Sequence, residues 1–183
     1  VAREIAKLDD LHSLLEKIMQ ASKSVMRAEA SSLFLLDEKA NELYIESAQG
    51  EAGATMKQFR LPVGKGIAGW VAQKGKPDLI KDAYQDSRFN SDFDKKTGFR
   101  TKSIVCVPLE YQGKVKGVVQ IINSLDKEAF EDDDVEFMMA LGGQAAVAIE
   151  NARLLKANKE LFLNVIMSLV KLIDQRHAYF NNH

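Results

Sequence analysis

The stretch that decides the fold is SIVCVPLEYQGKVKGVVQII, residues 103–122. Residues 103–109 are rich in β-branched side chains and are apolar on both faces, Gln112-Gly113 gives a turn, and residues 115–122 return as a second apolar strand. Two strands joined by so short a turn form an antiparallel hairpin. Because both of its faces are apolar, we predict that this hairpin lies at the centre of a sheet that is covered on both sides.

A second hairpin precedes this one. Side chains alternate between two faces over residues 32–36 and again over residues 43–47, and the polar residues 37–41 between them predict a turn. A short strand over residues 57–61 and a short helix over residues 67–74 follow. The chain therefore supplies several strands and one helix before it reaches the central hairpin.

Long helices are predicted at both ends of the chain. Apolar residues recur at three- and four-residue steps from Ile5 to Val25, and a second helix begins near Asp132, where carboxylates crowd the first turn. Towards its end, a period of 3.5 residues runs through Leu155, Asn158, Phe162, Val165, Leu169 and Leu172. Such a helix is longer than this domain needs, so we expect its apolar stripe to be buried against a second chain or another domain.

Composition excludes several classes of protein. Of the 183 residues, 46% are apolar and 28% are charged, and 25 basic against 26 acidic residues leave no positive field for nucleic acid. No apolar run is long enough to span a membrane, and the first residues lack the core of a signal peptide, so we expect a cytoplasmic protein. Three histidines and one cysteine offer few groups for catalysis and exclude an intrachain disulfide. We therefore expect a binding module rather than an enzyme.

Isolated motifs have simple structural explanations. The glycines of residues 64–69 match the spacing of a dinucleotide-binding loop, but that motif needs a parallel βαβ unit and antiparallel strands follow here, so we interpret them as a tight turn before a helix. Cys106 lies within an apolar strand and is interpreted as a core residue. The histidines, His12, His177 and His183, fall outside the apparent core, so neither haem nor a metal is expected.

Residues 81–100, KDAYQDSRFNSDFDKKTGFR, form a long polar loop that carries four aromatic residues. Loops of this length in compact domains are often functional. Tyr84, Phe89, Phe93 and Phe99 can fold back over an apolar pocket that holds a few polar groups, or they can complete a small core. The residues alone leave both interpretations open.

Four segments resemble the GAF domain family, especially the GAF domains of cyclic-nucleotide phosphodiesterases and bacterial cyclases. They are GKGIAGWV at 64–71, DKKTGFRTKSIVCVPL at 94–109, GVVQIIN at 117–123 and AAVAIENA at 145–152. The resemblance spans roughly residues 10–155. It implies an α/β (α+β) fold in which helices flank a six-stranded antiparallel sheet, with long terminal helices, a small-molecule pocket, and homodimers formed through the flanking helices.

The resemblance also implies how the chain is organised into segments. Residues 1–28 are expected to form a dimerisation helix, residues 29–150 the ligand-binding domain, and residues 151–183 a signalling helix that leads into an output domain. Strand facing and family position together predict ten ligand-binding residues: Phe34, Ile67, Trp70, Phe89, Phe93, Thr101, Ile104, Cys106, Gln120 and Asn123.

Members of the family that bind cyclic AMP or cyclic GMP carry a signature of Asn-Lys, a later Phe, and then Asp-Glu. Asn123, Phe130 and Asp134 match this signature, whereas Ser124 and Val135 stand in place of its lysine and glutamate. The resemblance therefore implies a cyclic nucleotide as the leading ligand, and the lysine–aspartate ion pair of the signature is not expected to form.

Two further activities of the family are not expected. Bilin attachment uses a cysteine with a nearby histidine, and neither stands at a matching position. Free methionine sulfoxide reductases need several cysteines, and a single one cannot form the disulfide of their cycle.

The end of the chain, residues 168–183, resembles the opening of an HD-GYP phosphohydrolase domain, whose members hydrolyse cyclic di-GMP, with His177 in place of an aspartate. The preferred hypothesis is a regulatory sensor that has no catalysis of its own and controls such an output domain. A ligand-free dimerisation module is the first alternative, and a GAF-type methionine sulfoxide reductase is the second.

Overall fold

The computed structural model describes residues 2–50 and 59–181, with side chains for residues 11–50, 59–95 and 98–171. The elements are α1 (Ala2–Val25), β1 (Ala28–Asp37), β2 (Glu42–Gln49), β3 (Arg60–Pro62), α2 (Gly66–Lys74), β4 (Asp78–Ile80), a 3-10 turn (Ala83–Gln85), α3 (Asp92–Thr97), β5 (Ile104–Tyr111), β6 (Lys114–Ser124) and α4 (Asp132–Asn181). The predicted start of β3 at residue 57, the side chains of Ile5 and Leu8, and the side chains of residues 172–183 in the predicted HD-GYP-like segment lie outside what the structure describes.

The six strands form one sheet in the order β3-β2-β1-β6-β5-β4, and every neighbouring pair is antiparallel. The predicted fold class is thereby confirmed. The deciding hairpin is β5–β6, in which Ile104 pairs with Ile122 and Val107 with Val119. Its second strand also pairs with β1 along most of its length, so β1 and β6 occupy the middle of the sheet.

Helices pack on both faces of the sheet, as the apolar hairpin predicted. α1 packs against β1 and β2. α4 approaches β5 at Gly142, where a Cβ atom would lie 3.4 Å from Leu109 Cδ2 and 3.5 Å from Val107 Cγ2. Because successive side chains of a strand point to opposite faces, Cys106 points away from α4 and lies in a separate core with α2.

Two short elements lie where sequence patterns predicted none. β4 has three residues and pairs with β5, and α3 has six residues inside the segment predicted to be a loop. Three residues are too few to show a period of two, and the sequence DFDKKT is too short and polar to show a helical apolar stripe. Both elements become stable only through their contacts with the rest of the fold.

The chain divides into two compact units, residues 1–148 and 149–183. The second consists of the later part of α4, and its described side chains from residue 153 to residue 171 are all exposed. Within the part of the chain that the structure describes, no helix is long and apolar enough to cross a membrane. The limits expected for the dimerisation, ligand-binding and signalling segments stay a prediction.

Candidate functional site

A cavity of about 150 Å³ lies between the sheet, the start of α2 and the loop of residues 81–100, which we call the lid. It lies on the face of the sheet that α2 covers, and its walls are mostly apolar. Its lining residues are Ala30, Ser31, Ser32, Phe34, Ala48, Gln49, Gly50, Phe59, Leu61, Gly66, Ile67, Ala68, Phe89, Asn90, Phe93, Asp94, Phe99, Thr101, Ile104, Gln120 and Ile122.

The structure brings seven of the ten predicted residues together around this cavity. They are Phe34, Ile67, Phe89, Phe93, Thr101, Ile104 and Gln120. Phe34, Ile104 and Gln120 come from three different strands of the sheet, whereas Phe89, Phe93 and Thr101 come from the lid and its last turn. Three aromatic rings of the lid line the cavity, so the pocket interpretation of this loop describes it better than a filled core does.

Trp70 is not part of the cavity wall. The guanidinium carbon of Arg88 lies 4.8 Å from the centre of the Trp70 ring. Arg88 also forms ion pairs with Asp78 at 2.7 Å and with Asp86 at 2.6 Å. The hydrogen bond from Arg88 holds the pKa of Asp86 below its ordinary value. Trp70 therefore belongs to a cluster that fastens the lid to β4 and α2.

Cys106 and Asn123 also lie outside the cavity wall. Cys106 is fully buried in the core beneath α2, which confirms its interpretation as a core residue. Burial raises the pKa of this thiol far above its ordinary value despite a hydrogen bond from Gln120, so it is no nucleophile at neutral pH. Asn123 is 2% exposed, and its side chain bonds to Glu29 and to the backbone of residues 100 and 102.

Asp94 is the one carboxylate among the described residues that line the cavity, and it holds the lid in shape. It accepts hydrogen bonds from the Tyr84 hydroxyl at 2.9 Å, the Thr101 backbone N–H at 2.7 Å and the Thr101 hydroxyl at 2.8 Å. Partial burial and the Asp94 carboxylate raise the pKa of Tyr84. Asp94 is 5% exposed, so this network closes one wall of the cavity against water.

The amino end of α2 forms another wall. Gly66, Ile67 and Ala68 line the cavity, and Lys65, the N-cap residue, gives the helix no side-chain cap. The first N–H groups of a helix have no partner within it, so this wall offers hydrogen-bond donors and a partial positive charge. Gly69 packs tightly, since a Cβ atom there would lie 2.7 Å from the Pro62 carbonyl oxygen. The glycine pattern thus serves a tight turn and close packing, as predicted.

Sequence reasoning missed most of the polar wall. The missed lining residues that carry polar side chains are Ser31, Ser32, Gln49, Asn90 and Asp94. Ser32 could have been found, because it alternates with Phe34 on β1. Asn90 and Asp94 could not, because α3 and the turn before it have no periodic pattern that shows which side chains point inward.

As expected, the signature's own ion pair is absent because Ser124 stands in place of its lysine, but another lysine pairs with the aspartate. Ser124 cannot supply the cation, but Lys127 does, with its Nζ 3.1 Å from Asp134 Oδ2 and 2.9 Å from Glu131 Oε2. Asp134 Oδ2 also accepts the backbone N–H of Glu131 at 2.8 Å, which caps the start of α4. A lysine three residues further along the chain therefore restores an ion pair to Asp134.

Solved structures share this architecture. A GAF domain from an Acinetobacter phosphoenolpyruvate-protein phosphotransferase superposes with a TM-score of 0.69 over 80% of this chain and 86% of that one, at 22% identity. A GAF domain/HD domain protein from Geobacter sulfurreducens gives a TM-score of 0.69 over 79% of this chain and 95% of that one, at 14% identity. At these identities the likeness concerns the fold.

The family model for the GAF domain matches residues 10–149, and this chain belongs to that family. The chain is 35% identical over 170 residues to a dual 3',5'-cyclic-AMP and -GMP phosphodiesterase 11A from Takifugu rubripes, covering 87% of this chain and 19% of the relative. It is 31% identical over 194 residues to the dual 3',5'-cyclic-AMP and -GMP phosphodiesterase 11 of Drosophila melanogaster, covering 97% of this chain and 13% of the relative. The chain thus spans about a fifth or less of the length of these relatives.

Proposed function

We propose that this chain is a small-molecule-sensing regulatory domain, that its ligand is a cyclic nucleotide, and that it carries no catalysis of its own. The observation that carries this proposal is the cavity between the sheet and the lid. Two relatives of this chain, at 31% and 35% identity, are named as phosphodiesterases of cyclic AMP and cyclic GMP. The cavity combines stacking surfaces with polar side chains, the combination that a nucleobase needs.

The two ends of a cyclic nucleotide find different partners in this cavity. The base would lie among Phe89, Phe93 and Phe99, within reach of the amides of Asn90 and Gln120. The phosphate would lie at the amino end of α2, because the described lining residues include no cationic side chain and backbone N–H groups are the remaining source of positive potential. A cavity of about 150 Å³ holds little more than one ring system, so the lid must open further to admit a whole nucleotide.

The same volume argues against a ligand-free module. A structural spacer would fill its pocket with its own side chains, whereas about 150 Å³ stays empty among the residues that the structure describes. A cavity of that size in other proteins admits a ring as large as benzene. The sulfoxide reductase alternative finds no support in the site, because Cys106 is buried beneath α2 and has no second cysteine to oxidise with.

We also propose that two copies associate through the later part of α4. Large apolar side chains there are exposed, among them Leu155 at 61%, Phe162 at 64% and Leu169 at 51%. They recur with the 3.5-residue period of a coiled coil, and a helix that carries such a stripe is stable in water once the stripe is covered. A second copy would cover it symmetrically.

For the output domain we propose an HD-GYP phosphohydrolase, on the strength of residues 168–183. The Geobacter sulfurreducens protein named above is a GAF domain/HD domain protein, so the combination occurs with this fold. The proposal is tested with the full-length protein. Hydrolysis of cyclic di-GMP whose rate changes with cyclic GMP supports it, and hydrolysis of cyclic AMP or cyclic GMP alone contradicts it.

Ligand binding is tested by calorimetric titration of cyclic GMP and cyclic AMP into the chain. We expect one nucleotide to bind each subunit and the substitution Gln120→Leu to weaken binding by about tenfold, because it removes an amide from the wall while keeping its size. Gln144→Leu is the matched control, since it makes the same change on the exposed surface of α4. No heat at millimolar nucleotide, or equal affinity in both variants, would contradict the proposal.

A further inference from the structure

The side chain of Asn123 ties together three segments of the chain: residues 100–102, the stretch that leads from Asn123 itself to α4, and β1 at Glu29. Its Oδ1 accepts the backbone N–H of Lys102 at 2.6 Å, and its Nδ2 donates to the Arg100 carbonyl and to the Glu29 carboxylate, both at 2.7 Å. The backbone N–H of Asn123 adds a bond to the carbonyl of Ser103 at 2.8 Å. Because Asn123 is 2% exposed, water does not replace these bonds when they break.

The first of these segments is the end of the lid. Thr101 lies between the two residues that Asn123 holds, lines the cavity, and bonds to Asp94. A second route runs through rings: Phe89 lines the cavity, its centroid lies 5.1 Å from that of Tyr84, and the guanidinium carbon of Arg100 lies 3.7 Å from the Tyr84 ring centre. A ligand that moves Thr101 or Phe89 therefore also moves the backbone of residues 100–102, to which the Asn123 side chain is hydrogen-bonded.

The second segment leads from Asn123 to α4. The backbone of Asn123, the last but one residue of β6, has φ +57°, a left-handed conformation that asparagine tolerates better than most residues. The backbone N–H of Leu125 then bonds to the Arg27 carbonyl at 2.8 Å. Lys127 reaches Glu131 and Asp134 at the start of α4. The stretch between Asn123 and α4 is thus tied at several points.

We propose that Asn123 is a positioning residue that couples the state of the lid to the placement of the start of α4. The inference rests on the proposed sensing function. A ligand that binds the closed lid more tightly than the open one shifts the lid between the two states. The buried amide then transmits this shift from residues 100–102 to the end of β6 and on to α4. The predicted role of Asn123 as a ligand contact is replaced by this one.

Two substitutions break the side-chain hydrogen bonds of Asn123 and still allow the left-handed backbone at this position. Asn123→Gly deletes the side chain, and Asn123→Asp keeps Oδ1 but places a second carboxylate oxygen against Glu29 and the Arg100 carbonyl. The control is Asn41→Asp, the same change at the exposed asparagine with φ +55° in the β1–β2 turn.

The readout is hydrogen exchange of residues 135–140 in α4, with and without cyclic GMP. We expect the nucleotide to slow exchange there in the unchanged chain and in Asn41→Asp. In Asn123→Gly and Asn123→Asp the protection of α4 should fall by about tenfold, while lid residues 98–100 still respond to the nucleotide. Full protection of α4 in Asn123→Gly would overturn the proposal, provided that circular dichroism shows an intact fold.

A second arm needs no ligand, so it separates this inference from the proposed function. Thr101→Val removes the hydroxyl bond to Asp94 and loosens the lid. In the chain that keeps Asn123, we expect Thr101→Val to speed hydrogen exchange of residues 135–140 by about threefold to tenfold. In the Asn123→Gly variant, we expect it to leave the exchange rate unchanged. An equal effect in both chains, or none in either, overturns the coupling. If Thr101→Val has the expected effect in the unchanged chain and none in Asn123→Gly, but no nucleotide binds, only the proposed function is overturned.

Discussion

The two halves of α4 carry apolar residues at similar spacing, yet they end in opposite environments. In residues 132–148 the apolar face is buried, with Met138 and Ala145 1% exposed and Ala146 fully buried. In residues 153–171 the apolar side chains are exposed, with Leu155 at 61% and Phe162 at 64%. The comparison teaches that a 3.5-residue period shows that a helix has a face to bury and leaves open what covers that face.

The reason lies in the neighbours that each half has. The first half lies against β5 at Gly142, where an added Cβ atom would be in van der Waals contact with Leu109 and Val107. Small residues follow at Gly143, Ala145 and Ala146, and they fit a helix that packs flat on a sheet. In the second half the stripe consists of large residues, which suit interdigitation with another helix.

The largest expected effect separates association from folding. We expect Phe162→Lys to raise the dimer dissociation constant by at least about a thousandfold, because each copy loses about 2–3 kcal/mol of apolar burial and gains a charge in the seam. Sedimentation equilibrium measures it, and Asn164→Lys, with the same charge on another side of the helix, is the control. A dimer that survives Phe162→Lys would show that this stripe is not where the two copies meet.

The next effect concerns the first half alone. We expect Met138→Ala to lower the free energy of unfolding by about 2–5 kcal/mol, since it empties a fully packed site. Its neighbour Met139 is 36% exposed, and Met139→Ala should change stability by no more than about 0.5 kcal/mol. Urea denaturation compares the two. If Met138→Ala and Met139→Ala lowered the free energy of unfolding equally, Met138 would not lie on the buried face of this half of α4.

The smallest effect tests the glycine pair where the first half packs. Gly143 has nothing within 4 Å of an added Cβ atom, so Gly143→Ala should stabilise the chain by about 0.5–1 kcal/mol through its helix propensity. Gly142→Ala should gain less, because its Cβ atom would touch Leu109 and the Pro108 carbonyl oxygen at 3.4 Å. Thermal unfolding monitored by circular dichroism measures both. A larger gain at Gly142 would show that α4 does not rest on β5 there.

Much of the candidate site was predictable from strands and little of it from the lid. Phe34, Ile104 and Gln120 were found because a period of two shows which side chains share a face. Asp94 was missed, because its role depends on Tyr84 and Thr101, ten and seven residues away, meeting it in space. The ion pair between Lys127 and Asp134 was not foreseen for the same reason, since Lys127 reaches Asp134 from a position that no fixed spacing marks.

By itself the sequence determined the antiparallel sheet, the two long helices and their apolar faces, because these depend on local periodicity and turn residues. Only the tertiary structure decided which polar groups face the cavity, that Trp70 fastens the lid, and that the Asn123 side chain bonds to Glu29 and to the backbone of residues 100 and 102. Those outcomes depend on contacts between segments far apart in the chain, and such contacts leave no periodic trace in the sequence.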